Sequence, residues 1–151
     1  MRIQFLLKNT SMYERLGIMT LASVLKKNGH DTKLQLTEEL SENEIVKKIK
    51  EFKPHVLAYS IMTGEHVYHI DLNQMVRNEY PDAISVFGGP HPTYTPQMIE
   101  KDYVDAICRG EGEKYFLELV NKLQENKDYT DTPNFWFKKK TALLLKIKWD
   151  H

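Results

Sequence analysis

Short apolar stretches alternate along the chain with longer stretches of mixed polarity. The apolar runs occupy residues 2–7, 32–36, 55–62, 83–87 and 105–109. Runs of this length that are bounded by turn residues are typical of β-strands. Residues 55–62 are almost continuously apolar, as in a central strand that is buried on both faces. The pattern therefore predicts five strands.

Between the strands, apolar residues recur at the three- and four-residue spacing of amphipathic helices. This spacing predicts helices over residues 16–27, 37–52, 65–80, 96–101 and 113–123. The first helix ends before Asn28-Gly29, a common C-terminal stop. In the second, Ser41 followed by Glu44 predicts a capping box.

Five β–α repeats predict a parallel sheet, because right-handed crossovers place helices on both of its faces. The predicted class is α/β, a doubly wound, flavodoxin-like (Rossmann-like) five-stranded sheet of order 2-1-3-4-5. Residues 1–127 are predicted to form this domain. Residues 128–151 are predicted to form a C-terminal tail, either a hairpin that packs residues 135–137 on the sheet edge or a truncated linker to a missing domain.

Composition argues against several classes of function. The chain has 21 basic and 21 acidic side chains, so no positive field favours nucleic acid. No apolar run approaches the ~20 residues of a membrane span, and a cytoplasmic location is expected. Cys108 is the only cysteine, which excludes an internal disulfide and a cysteine-based zinc or iron–sulfur site within one chain.

Loops rich in glycine and hydroxyl groups follow four of the predicted strands, at residues 8–17, 60–66, 88–96 and 109–113. The carboxyl ends of parallel strands share one edge of the sheet, where ligands bind in doubly wound folds. Glycine lets a ligand approach the backbone closely. We therefore predict a ligand cleft at this edge; the alternative is that the glycines only form tight turns.

The chain lacks a phosphate-binding P-loop, and no GxGxxG motif opens its first helix. The acidic positions of a phosphoacceptor receiver domain hold Lys8-Asn9 and Tyr59-Ser60 instead. Thr10 and Ser11 leave a flavodoxin-like flavin or nucleotide site as one alternative. A cofactor-free interaction module is the other.

Taken in order, the loops resemble the cobalamin (vitamin B12)-binding domain of corrinoid proteins, whose signature is D-x-H-x-x-G, then S-x-L, then G-G. Leu16-Gly17, Ser60-Ile61-Met62 and Gly88-Gly89 follow one another at the family's spacing. The sequences GGPHPT and GEGE resemble the domain at the N-terminus of cobalamin-dependent radical S-adenosylmethionine enzymes. The resemblance covers roughly residues 1–125.

In this family the nucleotide tail of cobalamin leaves the cobalt and is buried in a channel through the domain. The resemblance implies base-off cobalamin with the tail against the paired glycines, so Gly89→Leu is expected to abolish binding with the fold largely intact. The positions of the family's histidine and aspartate hold Glu14 and Met12. The usual histidine ligand is therefore absent, and Tyr13, Glu14 or Arg15 would face the lower side of cobalt.

The predicted cobalamin-binding residues all belong to the loops at this edge. They are Asn9, Thr10, Ser11, Tyr13, Glu14, Gly17, Ser60, Met62, Thr63, Gly64, Gly88, Gly89, His91, Thr93, Gly110, Glu111 and Gly112. No catalytic residue and no protein metal ligand is predicted. One cysteine cannot supply the C-x3-C-x2-C cluster loop of a radical S-adenosylmethionine enzyme. The expected function is to present cobalamin, carrying a methyl group or an electron, to a radical S-adenosylmethionine domain or other catalytic partner. Whether the chain is an excised domain, a truncated product or a stand-alone carrier stays open.

Several residues near the predicted cleft have two interpretations. His91 either hydrogen-bonds a corrin amide or the phosphate, or it caps its own loop. His66 and His69 are spaced for a metal on one helix face, but no third ligand is evident and a solvated face is favoured. Glu113 suits a helix N-terminus, whereas Glu111 is expected to contact ligand.

Overall fold

A computed structural model of the chain describes residues 1–9 and 12–139, and for residues 12–15 it describes the backbone only. None of the helices in these residues is long and apolar enough to cross a membrane. Strands and helices alternate throughout. They are β1 (Arg2–Leu7), α1 (Met12–Lys27), β2 (Asp31–Leu36), α2 (Glu42–Phe52), β3 (Val56–Ser60), α3 (His66–Glu79), β4 (Ile84–Gly88), α4 (Pro90–Tyr94), β5 (Ala106–Cys108), α5 (Glu113–Gln124) and β6 (Phe135–Phe137), with 3₁₀ turns at Thr63–Glu65 and Pro96–Glu100.

The strands form one sheet of order β2-β1-β3-β4-β5-β6. The first five are parallel in the predicted order, which confirms the doubly wound α/β class. The described part of the chain contains six strands rather than the predicted five, because β6 pairs antiparallel with β5 and covers an edge that would otherwise be exposed. Residues 140–151, where a second hairpin strand would fall, lie outside the described residues.

Helices cover both faces of the sheet, and each face has its own apolar core. The first core lies under α1 and α5 and contains Phe5, Ile18, Leu25, Ala58, Val86, Phe116, Leu119 and Phe135. The second lies under α2 and α3 and contains Leu6, Ile45, Ile49, Leu57, Leu72, Val76, Phe87 and Ile107. Neighbouring residues of each strand point to opposite faces, so each strand contributes to both cores.

The predicted capping box fixes the start of α2. The Ser41 hydroxyl accepts a hydrogen bond from the Glu44 amide at 3.4 Å, and the Glu44 carboxylate accepts one from the Ser41 amide at 2.9 Å. These bonds satisfy amide groups that the first helical turn leaves without backbone partners. The helix therefore begins at Glu42 rather than at the predicted residue 37.

The stretch after β4 differs from the sequence prediction. Residues 90–94 form the short helix α4, where a stiff irregular loop was predicted. Pro90 occupies the first helical position, where its missing amide hydrogen costs nothing. The amide of Thr95 donates to the carbonyl of His91 at 2.7 Å and ends the turn.

Candidate functional site

A cavity of about 150 Å³ opens at the carboxyl ends of the central strands, between the sheet and helices α1 and α5. Seven of the predicted site residues line it. They are Gly17, Ser60, Gly88, Gly89, Gly110, Glu111 and Gly112. They come from α1, the end of β3, the end of β4 and the loop after β5. The fold thus brings together glycines that are far apart in the sequence.

Nine further residues line the cavity, and none of them was predicted as a site residue. Seven are apolar, namely Phe5, Leu21, Ala58, Val86, Cys108, Phe116 and Phe135, and the other two are Tyr59 and Glu113. Those of the seven that belong to strands lie on the sheet face that packs under α1 and α5. Strand alternation indicates that such residues are buried, but it does not distinguish a filled core from a cavity wall.

Gly88 and Gly112 leave room that side chains would otherwise occupy. A Cβ atom on residue 88 would lie 3.8 Å from the Cβ atom of Cys108, and one on residue 112 would lie 3.6 Å from the Cys108 sulfur. Both distances are ordinary van der Waals contacts, so the backbone accepts a Cβ atom at either position. Longer side chains here would compete with a ligand for the cavity.

Position 89 requires glycine for a different reason, namely its backbone conformation and its close packing. Its φ of 94° is one that side-chain-bearing residues rarely adopt, and its backbone passes directly against Ile61. The amide of Ile61 donates to the carbonyl of Gly88 at 2.9 Å, and the amide of His91 donates to the carbonyl of Ile61 at 3.1 Å. The absent side chain therefore serves the protein's own packing. The expectation that Gly89→Leu leaves the fold intact is wrong.

Thr93 joins two of the loops around the cavity, although it does not line it. Its hydroxyl donates to the carbonyl of Gly89 at 2.9 Å and accepts from the amide of Gly110 at 3.0 Å. The guanidinium of Arg109 donates to the carbonyl of Thr93 at 3.3 and 3.4 Å. These bonds fix the loop after β4 against the loop after β5.

Other predicted residues lie outside the cavity wall. Asn9 follows β1, whereas Met62, Thr63 and Gly64 are exposed in the loop after β3. Thr10 and Ser11 lie outside the described residues. Tyr13 and Glu14 belong to the first turn of α1, and only their backbone is described.

His91 lies apart from the cavity and is buried in α4. Its ring stacks on that of His66 at 4.2 Å between centroids, and its Nδ1 lies 3.4 Å from the Thr63 hydroxyl. Burial, together with the neighbouring His66, lowers the pKa of His91. At neutral pH the ring is therefore uncharged, and its contacts within the described residues hold its own loop.

His66 and His69 both lie on α3. Among the described residues, no group of three or more histidine, cysteine, aspartate or glutamate side chains could hold a metal ion. The prediction of a solvated face is wrong for His69, which is fully buried. Its Nδ1 lies 3.0 Å from the Glu65 carbonyl, and burial lowers its pKa.

Cys108 is an uncharged part of the cavity wall. Burial, and to a smaller extent the carboxylates of Glu113 and Glu111, together raise the pKa of its thiol to about 12. Its side chain is 6% exposed. A thiol with this pKa is a weak nucleophile and a poor metal ligand at neutral pH, since both roles require the thiolate. Its position nevertheless makes it a reporter of access to the cavity.

The shape and chemistry of the cavity suit an aromatic ring rather than a whole macrocycle. An apolar cavity of roughly 150 Å³ in another protein takes up benzene. Here Phe116 and Phe135 lie in the wall with the small side chains of Ala58 and Val86, and Ser60 adds a hydroxyl group. A macrocycle would be too large for this volume.

Comparison with known proteins gives a family match over most of the chain. A family model described as "B12 binding domain" matches residues 6–120. The matched segment contains β1 to β5 apart from the first residues of β1, and all seven predicted residues that line the cavity.

Curated relatives are similar over the same region. The chain is 33% identical over 117 residues to an uncharacterized methyltransferase of Pyrococcus horikoshii, covering 75% of this chain and 25% of that protein. It is 32% identical over 117 residues to an anaerobic magnesium-protoporphyrin IX monomethyl ester cyclase of Rubrivivax gelatinosus, covering 74% and 21%. It is 35% identical over 96 residues to a cobalamin-dependent radical SAM methyltransferase of Streptomyces tokunonensis, covering 62% and 14%. The chain thus spans a quarter or less of the length of these three proteins.

Proposed function

Because the chain belongs to the family of B12-binding domains, we propose that it binds cobalamin with the base of the nucleotide tail in the glycine-lined cavity. The observation that carries this proposal is the position of the cavity. It opens at the carboxyl edge of the sheet, and Gly17, Ser60, Gly88 and Gly112 meet in its wall. These residues come from three separate parts of the family's sequence signature and from the loop after β5.

The size of the cavity supports base-off binding. Cobalamin whose base occupied the space under α1 and α5 would be held base-off. The hydroxyl of Ser60 would offer the buried base a hydrogen-bonding group, because a polar atom buried without a partner is costly. Gly88 and Gly112 would allow the tail to contact the backbone.

We propose further that no imidazole of this chain replaces the base beneath the cobalt. The position of the family histidine holds Glu14 in the first turn of α1. None of the histidines in residues 1–9 and 12–139 lines the cavity. The lower side of the corrin would then face the start of α1, where Tyr13, Glu14 and Arg15 lie.

The catalytic partner is proposed from the names of the relatives. Two of the three are named as methyltransferases, and one of these as a cobalamin-dependent radical SAM enzyme. Bound cobalamin would supply a cobalt centre that carries a methyl group or an electron. In this proposal the present chain holds and orients the corrinoid, and a radical S-adenosylmethionine domain, in the same protein or a separate one, performs the reaction.

The experiment compares hydroxocobalamin with cobinamide, a corrinoid that lacks the nucleotide tail. Each is mixed with the full chain, and the visible spectrum is recorded after gel filtration. In parallel, the rate of Cys108 alkylation by a small maleimide is measured with and without each corrinoid. We expect the protein to retain cobalamin much more tightly than cobinamide, and cobalamin to slow the alkylation.

Equal retention of the two corrinoids, or alkylation that bound cobalamin leaves unchanged, would show that the tail does not enter the cavity. Flavin mononucleotide serves as the control ligand. A yellow protein that retains the flavin and rejects both corrinoids would favour the flavodoxin-like alternative.

A further inference from the structure

We infer that the β6 segment, which lies beyond the family-matched residues, is part of the cobalamin site, and that Phe135 is a wall against which the base of the tail packs. This inference rests on the proposed function. It assigns tail recognition to a residue 15 positions after the end of the family match at residue 120.

Phe135 faces the cavity from the edge of the sheet. It is 6% exposed and lines the cavity. In the antiparallel register it lies directly opposite Cys108, another lining residue. Its ring is 6.3 Å from that of Phe116, with an angle of 24° between the planes. Two nearly parallel aromatic rings in one wall are suited to packing against a planar aromatic base.

The same segment also holds the loop after β5. The Asn134 side-chain amide donates to the carbonyl of Glu111 at 3.0 Å, and the Arg109 amide donates to the carbonyl of Asn134 at 2.8 Å. The guanidinium of Arg109 lies 4.5 Å from the ring centroid of Trp136. The segment therefore fixes the loop that carries Gly110 and Gly112, both of which line the cavity.

Phe137 provides a matched control. It lies two residues further along β6, on the same face of the sheet, and it packs against Tyr129 at 5.1 Å and Phe135 at 6.1 Å between ring centroids. It does not line the cavity. Truncation of either phenylalanine removes apolar packing from the same strand, but only truncation of Phe135 would remove a contact with the ligand.

The test uses the full chain and measures two quantities in wild type, Phe135→Ala and Phe137→Ala. The first is the ratio of the dissociation constants of cobinamide and cobalamin, which isolates the contribution of the tail. The second is the rate of Cys108 alkylation without ligand. We expect Phe135→Ala to lower the ratio about tenfold and to speed alkylation, whereas Phe137→Ala should leave both close to the wild-type values.

A general loss of stability would weaken the binding of both corrinoids by the same factor and leave the ratio of their dissociation constants unchanged. The ratio therefore separates recognition of the tail from effects on folding. If the circular dichroism of Phe135→Ala shows an unfolded protein, Phe135→Leu keeps the apolar volume but removes the ring. It should lower the ratio about threefold.

The two proposals fail in different ways. A wild-type protein without preference for cobalamin overturns the proposed function, and this inference with it. A wild-type protein with that preference, together with a folded Phe135 variant that keeps it, overturns this inference alone. An equal change of the ratio in Phe135→Ala and Phe137→Ala would also overturn it. The effect would then come from the general packing of β6 and not from contact between Phe135 and the ligand.

Discussion

Gly89 crosses the backbone of Ile61 so closely that a Cβ atom on residue 89 would lie 2.8 Å from the Ile61 nitrogen and 2.9 Å from its carbonyl oxygen. Both contacts are with backbone atoms that make hydrogen bonds of their own. The loops after β3 and β4 are therefore packed together by backbone contact, at the edge of the sheet where the cavity opens.

The first prediction is that Gly89→Ala lowers the stability of the fold. The alanine must adopt a φ of 94° and must displace the backbone of Ile61. We expect the free energy of unfolding to fall by about 2–3 kcal/mol, which urea denaturation followed by circular dichroism would measure. Gly64→Ala is the control, because a Cβ atom there has no atom within 4 Å. Equal stability of the two variants would contradict the close packing.

The second prediction concerns Gly88, the neighbour of Gly89. A Cβ atom at this position makes only ordinary contacts, the nearest at 3.8 Å from Cys108. In Gly88→Leu the rest of the side chain would extend into the cavity that the base is proposed to occupy. We expect cobalamin binding to weaken by at least about tenfold, with cobinamide binding much less affected. Gly88→Ala should retain most of the affinity for cobalamin, and undiminished binding by Gly88→Leu would locate the tail elsewhere.

The third prediction is that stability declines in mild acid, in part through His55. Burial and the neighbouring charge of Arg2 lower the pKa of His55 to about 4 in the folded chain, whereas an unfolded histidine has a pKa of about 6.5. Between these pH values the unfolded chain binds a proton that the folded chain does not. The free energy of unfolding therefore falls as the pH decreases through this range. Burial lowers the pKa values of His30 and His69 in the same direction.

His55→Asn tests the contribution of this one histidine. The ring nitrogen Nδ1 accepts a hydrogen bond from the Arg2 amide at 2.8 Å, and an asparagine oxygen could accept it instead. Urea denaturation between about pH 4 and pH 7 should show a shallower loss of stability in the variant than in wild type. If the free energy of unfolding depended on pH equally in the variant and in wild type, the lowered pKa of His55 would be contradicted.

The fourth prediction concerns an ion pair at the opposite edge of the sheet from the cavity. The guanidinium of Arg77 donates to the carboxylate of Asp105 and to the hydroxyl of Ser85, the latter at 3.1 Å. The side chains of Arg77 and Asp105 are 12% and 13% exposed. Arg77→Met removes a cation beside a largely buried carboxylate. We expect a loss of about 2–3 kcal/mol in the free energy of unfolding.

The exposed pair Lys50–Glu79 is the matched control, since its side chains are 50% and 59% exposed. Lys50→Met should cost less than about 0.5 kcal/mol by the same urea measurement. The preference for cobalamin over cobinamide should be unchanged in both variants, because neither residue is near the cavity. A similar loss in the free energy of unfolding for Arg77→Met and Lys50→Met would contradict the difference in burial between the two ion pairs.

The order of elements could be predicted because it is a local property of the chain. Short apolar runs mark β1 to β5, helical spacing marks the longer helices, and Ser41 with Glu44 marks the start of α2. Right-handed crossovers then leave few possible strand orders. The short helix α4 was missed because Pro90 and Pro92 favour irregular backbone in most contexts.

The sequence predicts the loop residues of the candidate site but not the apolar strand residues that line the cavity. Gly17, Ser60 and Gly88 were identified because their order and spacing resemble a family signature, and that family is confirmed. The contribution of Phe135 and Ala58 to the cavity could not be predicted, because apolar strand residues have the same pattern in a filled core. His69 was placed on the wrong face because helical spacing alone did not fix how α3 is rotated against the sheet.

By itself the sequence determined the strand order of the parallel sheet, the glycine-bearing edge and the family, since these depend on periodicity and on motifs read along the chain. Only the tertiary structure decided which glycine faces open space and which faces backbone: Gly88 lies against the cavity, whereas Gly89 lies against Ile61. It also decided that Phe135 closes the cavity opposite Cys108. The physical reason is that the space between elements is set by how their side chains pack together, and no single segment of the chain contains that information.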